Sequence, residues 1–241
     1  MDSAAILLII PAAFIGAIVG AVAGFGTGII MLPVLVLSFG IHESIPILTV
    51  SMMLTNASRA FFNRKEIKLS VVLFFSIGAV PAALIGGVIF SHSPDSALVR
   101  ILGVYFLLVV IYRHLSWISI SQARLWHFIP VGAGTSIVSA VVGVSGPLMA
   151  PFFLSYGLLK GAYIGTDALA TVAMQGSRLG VFSGLELVSY KILFIGTIIG
   201  TITFTGTYVG KRLLNYIPER YFSHIIEVTL IAYGILFLIK G

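Results

Sequence analysis

Arg59 and Arg178 are the only basic residues that fall well inside apolar stretches of this chain. Each follows a serine (Ser58, Ser177) and stands three residues after an amide, Asn56 or Gln175. On a helix these positions share a broad face, so guanidinium, amide and hydroxyl together offer an oxyanion several charge-assisted hydrogen bonds. Two glycine-rich stretches add donors of another kind. Gly24-Phe25-Gly26-Thr27-Gly28 is followed by Pro33, and Gly143-Val144-Ser145-Gly146-Pro147 by Pro151. Where a helix begins after such a break, its first amides and positive dipole end suit an anion, and Thr27 and Ser145 occupy equivalent cap positions. Pro147 fits a first turn, where its missing N–H costs nothing. The chemistry is anion binding without a metal or cofactor. Its expected residues are Gly26, Thr27, Gly28, Asn56, Arg59, Ser145, Gly146, Gln175 and Arg178. Two acids, Asp167 and Glu227, lie within apolar spans and are expected to couple a second ion, a proton in the simplest case. The opposing readings are structural. Small residues let helices pack closely, and arginines near helix ends snorkel to the headgroups. Asp167 would pair with Lys160, and Glu227 would share an ion-pair stripe with His224 and Arg220.

Such residues need an unusual setting, and the composition supplies it. Of 241 residues, 59% are hydrophobic and only 9% charged, against roughly 25% charged in soluble domains. Too few side chains remain to cover a water-facing surface, so the chain is expected to be an integral membrane protein. The formal charge of +6 is then read as basic cytoplasmic loops, not as a nucleic-acid surface. With no cysteine, disulfides and thiolate metal sites are excluded. His42, His92, His114 and His127 fall near helix ends at no metal-like spacing, and with Trp117, Trp126 and several tyrosines they read as interfacial. Asp2, with no basic residue before the first apolar run, argues for a retained first helix rather than a cleaved leader.

Residues 4–39 are apolar almost throughout. As one straight helix they would reach about 54 Å, against a hydrocarbon core of about 30 Å. The segment must break, and the glycine cluster is the place. Three helices are expected next, at about 44–63, 69–90 and 96–112. The order then repeats: a pair of arms at about 126–156, broken at 143–147, and helices at about 161–182, 190–210 and 221–239. Gly16, Gly28, Met31 and Pro33 match Gly134, Gly146, Met149 and Pro151 at one constant offset. Ser58-Arg59 matches Ser177-Arg178, Gly86 matches Gly210, and Pro94-Asp95 matches Pro218-Glu219. The common order points to a duplication, with residues 1–120 as the first repeat and 121–241 as the second.

Charge sets the topology. If each broken segment begins and ends on one side of the membrane, that side collects Arg64, Lys65, Lys68, Arg113, Arg124, Lys160, Lys211, Arg212 and Arg220. The other receives only Arg100, Lys191 and Lys240. The positive-inside rule then places both termini outside. An odd remainder of three helices makes the two halves inverted relative to each other, an architecture found in secondary transporters.

The glycine break, the proline about five residues beyond it and the three following helices, all duplicated, resemble the TauE/SafE family of sulfite exporters over essentially the whole chain. The resemblance implies an all-α polytopic protein of the bacterial inner membrane with two inverted repeats, each a broken helical hairpin followed by three transmembrane helices. It implies export of a small sulfur-containing anion, sulfite or an organosulfonate such as sulfoacetate. Val142-Gly143-Val144-Ser145-Gly146 is poorer in glycine than its first-half counterpart. Alternating access would come from one repeat rocking on the other, with Gly24, Gly28, Gly143 and Gly146 as flexible points. Partners on this reading are the anion and the lipid bilayer, with no nucleic acid; a homodimer is compatible with it.

Two other classes share features. A passive anion channel needs the same donors as a carrier. Gly143-Val144-Ser145-Gly146 also spells the serine motif of rhomboid intramembrane proteases, but acyl transfer needs a histidine base beside the serine. The only later histidine, His224, is expected near a membrane surface.

Overall fold

The computed structural model describes residues 3–23, 26–114, 122–213 and 219–241. Among these residues the chain is all α-helical, without a strand. The first half carries α1 (Ser3–Ala23), α2 (Gly26–Phe39), α3 (Ile41–Phe62), α4 (Leu69–His92) and α5 (Asp95–His114). A 3-10 turn at Leu125–His127 opens the second half, followed by α6 (Phe128–Val142), α7 (Gly146–Ser155), α8 (Lys160–Gly184), α9 (Tyr190–Leu213) and α10 (Glu219–Lys240).

The breaks fall at the glycine clusters. Helix α1 ends at Ala23 and α2 begins at Gly26; α6 ends at Val142 and α7 begins at Gly146. Helix α2 has 14 residues and α7 has 10, about 21 and 15 Å, too short to cross a bilayer core. Helix α2 folds back along α1, with Thr27 against Gly20 and Ile30 against Gly16. The helix expected from about residue 44 starts three residues earlier, with residues 41–43 as the first turn of α3. The chain reverses at Gly40, whose φ of 74° only glycine adopts readily, and Glu43 then sits where the helix dipole favours an acid.

Among the described residues four stretches are long and apolar enough to cross a membrane: Leu69–His92, Asp95–Tyr112, Leu125–Val142 and Tyr190–Gly210. Helix α4 shows why: Leu69, Leu73, Ile77, Leu84 and Ile85 are all exposed, a face suited to lipid and not to water. Helices α3 and α8 are less apolar because they bury Asn56, Arg59, Asp167, Gln175 and Arg178.

Packing runs mainly between the halves. Helix α4 lies on α6 and α1 on α9; α3 packs on α9 and α8 on α4; α3 meets α8, and α5 meets α10. Gly78 and Gly132 allow the α4–α6 approach. A Cβ on Gly78 would lie 1.9 Å from the Ile129 carbonyl oxygen, and one on Gly132 would lie 2.1 Å from that of Phe75. The direction of each pair follows from its contacts. Gly78 lies against Ile129 and Gly86 against Ala140, so α4 and α6 run parallel. Gly206 lies against Ala17 and Gly210 against Ala21, so α1 and α9 do too. Helices α3 and α8 are antiparallel, since Asn63 meets Gly165 while Arg59 meets Asp167. So are α5 and α10, where Gly103 meets Gly234 and Gly241 meets Arg100.

Candidate functional site

Because α3 and α8 run antiparallel, their polar stripes face each other. On α3 the stripe is Met52, Asn56 and Arg59; on α8 it is Asp167, Thr171 and Gln175, each series spaced by one helical turn. The two stripes and the second glycine break line one cavity of about 30 Å³. A single water needs roughly 10–15 Å³ by that measure, so the cavity is tight.

The second break shapes its wall. Gly143 has φ 75° and ψ −20°, a left-handed conformation that closes α6, and its N–H donates to the Ser139 carbonyl at 2.8 Å. Val144, Ser145 and Gly146 then line the cavity as the chain turns into α7. The helix end offers fewer amides than expected. Pro147 has none, and the N–H groups of Leu148 and Met149 donate to the Ser145 carbonyl at 2.9 and 3.2 Å. Ser145 does not cap α7 with its side chain; its hydroxyl donates to the Met149 sulfur at 3.5 Å. No histidine lines the cavity beside Ser145, so the constellation for acyl transfer is not assembled there.

The first break sits differently. Gly24 and Phe25 lie outside the described residues. Gly26, Thr27 and Gly28 are buried but do not line the cavity. The Thr27 hydroxyl fills the space that a side chain on Gly20 would occupy, and a Cβ on Gly28 would meet Val144 at 2.9 Å. The two breaks therefore touch, with the first supporting the wall that the second forms.

Arg59 is 6% exposed and Arg178 1%, so neither snorkels. Arg59 donates from Nη1 to Asn56 Oδ1 at 3.0 Å, the intrahelical pairing that their spacing suggests. Its Nη2 stands 3.8 Å from Asp167 Oδ2, an ion pair too long to be a hydrogen bond. Arg59 Nε and Nη2, Asn56 Nδ2, Asp167 Oδ1 and Gln175 Oε1 are all buried without a hydrogen-bond partner. Such a concentration of unsatisfied groups is costly. Those of Asn56, Arg59, Asp167 and Gln175 belong to side chains that line the one cavity.

Several expectations change. Asp167 faces Arg59 and not Lys160, which is exposed at the first residue of α8. Arg178 does not use Gln175; its Nη1 donates to the Ser139 carbonyl and, at 2.9 Å, to the Ser139 hydroxyl. It therefore stands behind Ser139, which itself lines the cavity. Ser58 and Ser177 turn their hydroxyls back to the carbonyls of Thr55 and Ala173. Glu227 is not at the cavity: it accepts from His114 on α5 at 2.7 Å. Of the two neighbours expected for it, His224 and Arg220, the side chain of Arg220 lies outside the described residues. Ser139 and Thr171 were missed, yet both carried a signal. Ser139 lies one turn before Gly143, and Thr171 lies midway between Asp167 and Gln175 at four-residue steps. Among the described residues no group of acids and histidines is arranged to hold a metal.

A family model described as sulfite exporter TauE/SafE matches residues 9–237. No curated protein and no solved structure matches the chain.

Proposed function

Because the chain belongs to the TauE/SafE family of sulfite exporters, and is therefore a multi-pass membrane protein of a transporter family, we propose that it carries sulfite or an organosulfonate such as sulfoacetate across the cytoplasmic membrane by alternating access. The anion would sit in the cavity between α3, α8 and the second glycine break. One observation carries the reading: a buried guanidinium, Arg59, has Nε and Nη2 unpartnered beside the unpartnered Nδ2 of Asn56, and both side chains open on the same small cavity. A sulfite or sulfonate oxygen is the complement of those donors. Gln175 adds a further polar group, Arg178 holds the Ser139 wall, and Gly28 acts through Val144, with Gly26 and Thr27 seating α2 against α1. The cavity's tightness fits an occluded conformation that must open to load a bulky sulfonate.

Inverted repeats, divided at about residue 120, are part of the same reading. Exchanging α1–α5 for α6–α10 carries each main packing pair between the halves onto another such pair or onto itself. The glycines aligned by sequence make the same contact from opposite halves: Gly86 on Ile137 and Ala140, Gly210 on Ile18 and Ala21. The self-paired helices, α3 with α8 and α5 with α10, run antiparallel, as an axis lying in the membrane plane requires. The His42–Asp95 contact and the Glu43–Lys191 ion pair lie at one end of the bundle, away from the basic residues 64–68, which supports termini outside.

The test is counterflow in proteoliposomes. Saturable exchange of labelled sulfite or sulfoacetate supports a carrier; large unitary currents mark a channel, and the absence of any flux removes the reading. Asn56→Leu and Gln175→Leu should each raise the half-saturation concentration about tenfold, the cost of one hydrogen bond to a charged group. Ser145→Ala should change it by less than about threefold, whereas it would abolish a serine protease entirely.

A further inference from the structure

The cavity holds an anion of its own. Asp167 is the one carboxylate among its lining residues, and it stands against Arg59, the one cation there. Resting on the carrier reading, we infer that Asp167 is the resident counter-anion of Arg59, and that a substrate anion binds only together with a proton taken up by Asp167, so that each anion moves with one proton.

The argument begins with charge. With Asp167 ionised, the Arg59–Asp167 pair is neutral, and an entering anion meets a carboxylate within a few ångströms in a buried space. Like charges so placed cannot both remain ionised without strong repulsion. Protonating Asp167 removes the repulsion, leaves Arg59 with one uncompensated positive charge, and turns the carboxyl into an O–H donor toward the bound oxygen. The geometry is poised for this. The pair is separated by 3.8 Å without a hydrogen bond, Arg59 Nη2 and Asp167 Oδ1 are unpartnered, and Asp167 is 4% exposed.

Among the described residues, no charged side chain other than Arg59 and Asp167 lines the cavity. On its own helix Asp167 has Tyr163 one turn before and the neutral Thr171 one turn after. From α3 it faces Arg59 and Asn56; from α6 and the second break come Ser139 and Ser145, both neutral. In the α3–α4 connection Glu66 lies against Gly161, and the Lys68 main-chain N–H donates to Thr166. Arg178 is held on Ser139.

The acid is also particular to one half. The offset that aligns Arg59 with Arg178 places Leu48 opposite Asp167. Leu48 is fully buried, and Arg178 is bound by Ser139 rather than by an acid. The packing of this helix pair therefore accepts an apolar residue at the position, so a carboxylate there answers to the site and not to the fold.

The probe is isethionate, a sulfonate whose single charge does not titrate, with sulfite run alongside. In proteoliposomes with an internal pH indicator, an isethionate gradient should drive proton movement at one proton per anion. The wild-type uptake rate at low isethionate should fall about tenfold per pH unit once Asp167 has lost its proton. Asp167→Asn, which keeps shape and one N–H donor in place of the O–H, should bind isethionate with no dependence on pH and move no protons. Anion flux in the wild type without proton movement overturns the inference and leaves the carrier standing, as does the same pH profile in wild type and Asp167→Asn. Absence of flux of sulfite and isethionate alike overturns both. The wild-type proton count decides the matter even if the variant does not fold.

Discussion

Arg59→Leu should lower apparent affinity for the carried anion by about a hundredfold or more, the scale of losing a buried charge that contacts an ionic partner. It should also harm the protein, for a separate reason. Asp167 would remain buried with no counter-charge, and breaking a buried pair from one side costs about 3–5 kcal/mol. The two effects can be separated. In Arg59→Leu/Asp167→Leu the stranded charge is gone, and two apolar side chains fill the α3–α8 contact, so the melting temperature in detergent should recover. Transport should not. Arg59→Lys keeps the charge but loses the fork that serves Asn56 and the anion together, so it should fall between wild type and leucine. Counterflow gives the affinities, and thermal unfolding of the detergent-solubilised protein gives the stabilities. An unchanged half-saturation concentration in the folded double variant would take Arg59 out of the site.

The second large effect concerns the fold. Gly78→Ala and Gly132→Ala should each abolish recovery of folded, monodisperse protein. The added methyl groups would lie 1.9 and 2.1 Å from backbone carbonyl oxygens of the facing helix, and a backbone atom on a packed helix cannot turn aside as a side-chain end can. Relief requires α4 and α6 to separate, and with them the Ser136 hydroxyl that donates to the Ala79 carbonyl at 2.8 Å. Overpacking typically costs about 1–3 kcal/mol, and a backbone clash falls at or beyond the upper end. Gly134→Ala and Gly176→Ala are the controls, since nothing stands within 4 Å of a Cβ at either position. They should be neutral or stabilise slightly, because alanine favours the helix. Equal melting temperatures for Gly78→Ala and Gly134→Ala would mean that α4 and α6 are not in close contact.

The helices and their order were legible in the sequence because apolar runs and glycine breaks are local signals. Residues 24–28 and 143–147 had to interrupt stretches too long for one crossing, and the helices stop there. The intrahelical half of the candidate site was legible too, since Asn56 and Arg59 are brought together by helix periodicity alone. What lay beyond reach depends on which helices meet. Nothing local to Asp167 says that Arg59 faces it, because that follows from the antiparallel crossing of α3 and α8. The same holds for Ser139 under Arg178 and for His114 beside Glu227. The opposing reading, Asp167 paired with Lys160, failed on scale: the cation nearest along the chain is not the one that faces Asp167 across the helix interface.

Helices α1 and α9 pack together, as do α4 and α6, each pair drawn from both lengths of the chain, and α3 and α8 join the two pairs. Pulling residues 1–120 away from 121–241 as blocks would prise apart the crossings at Gly78, Gly132, Gly206 and Gly210, where main chains nearly touch. On the alternating-access reading, the surface that would have to move is instead the α3–α8 junction, which polar side chains line. That junction would then serve movement and binding at once.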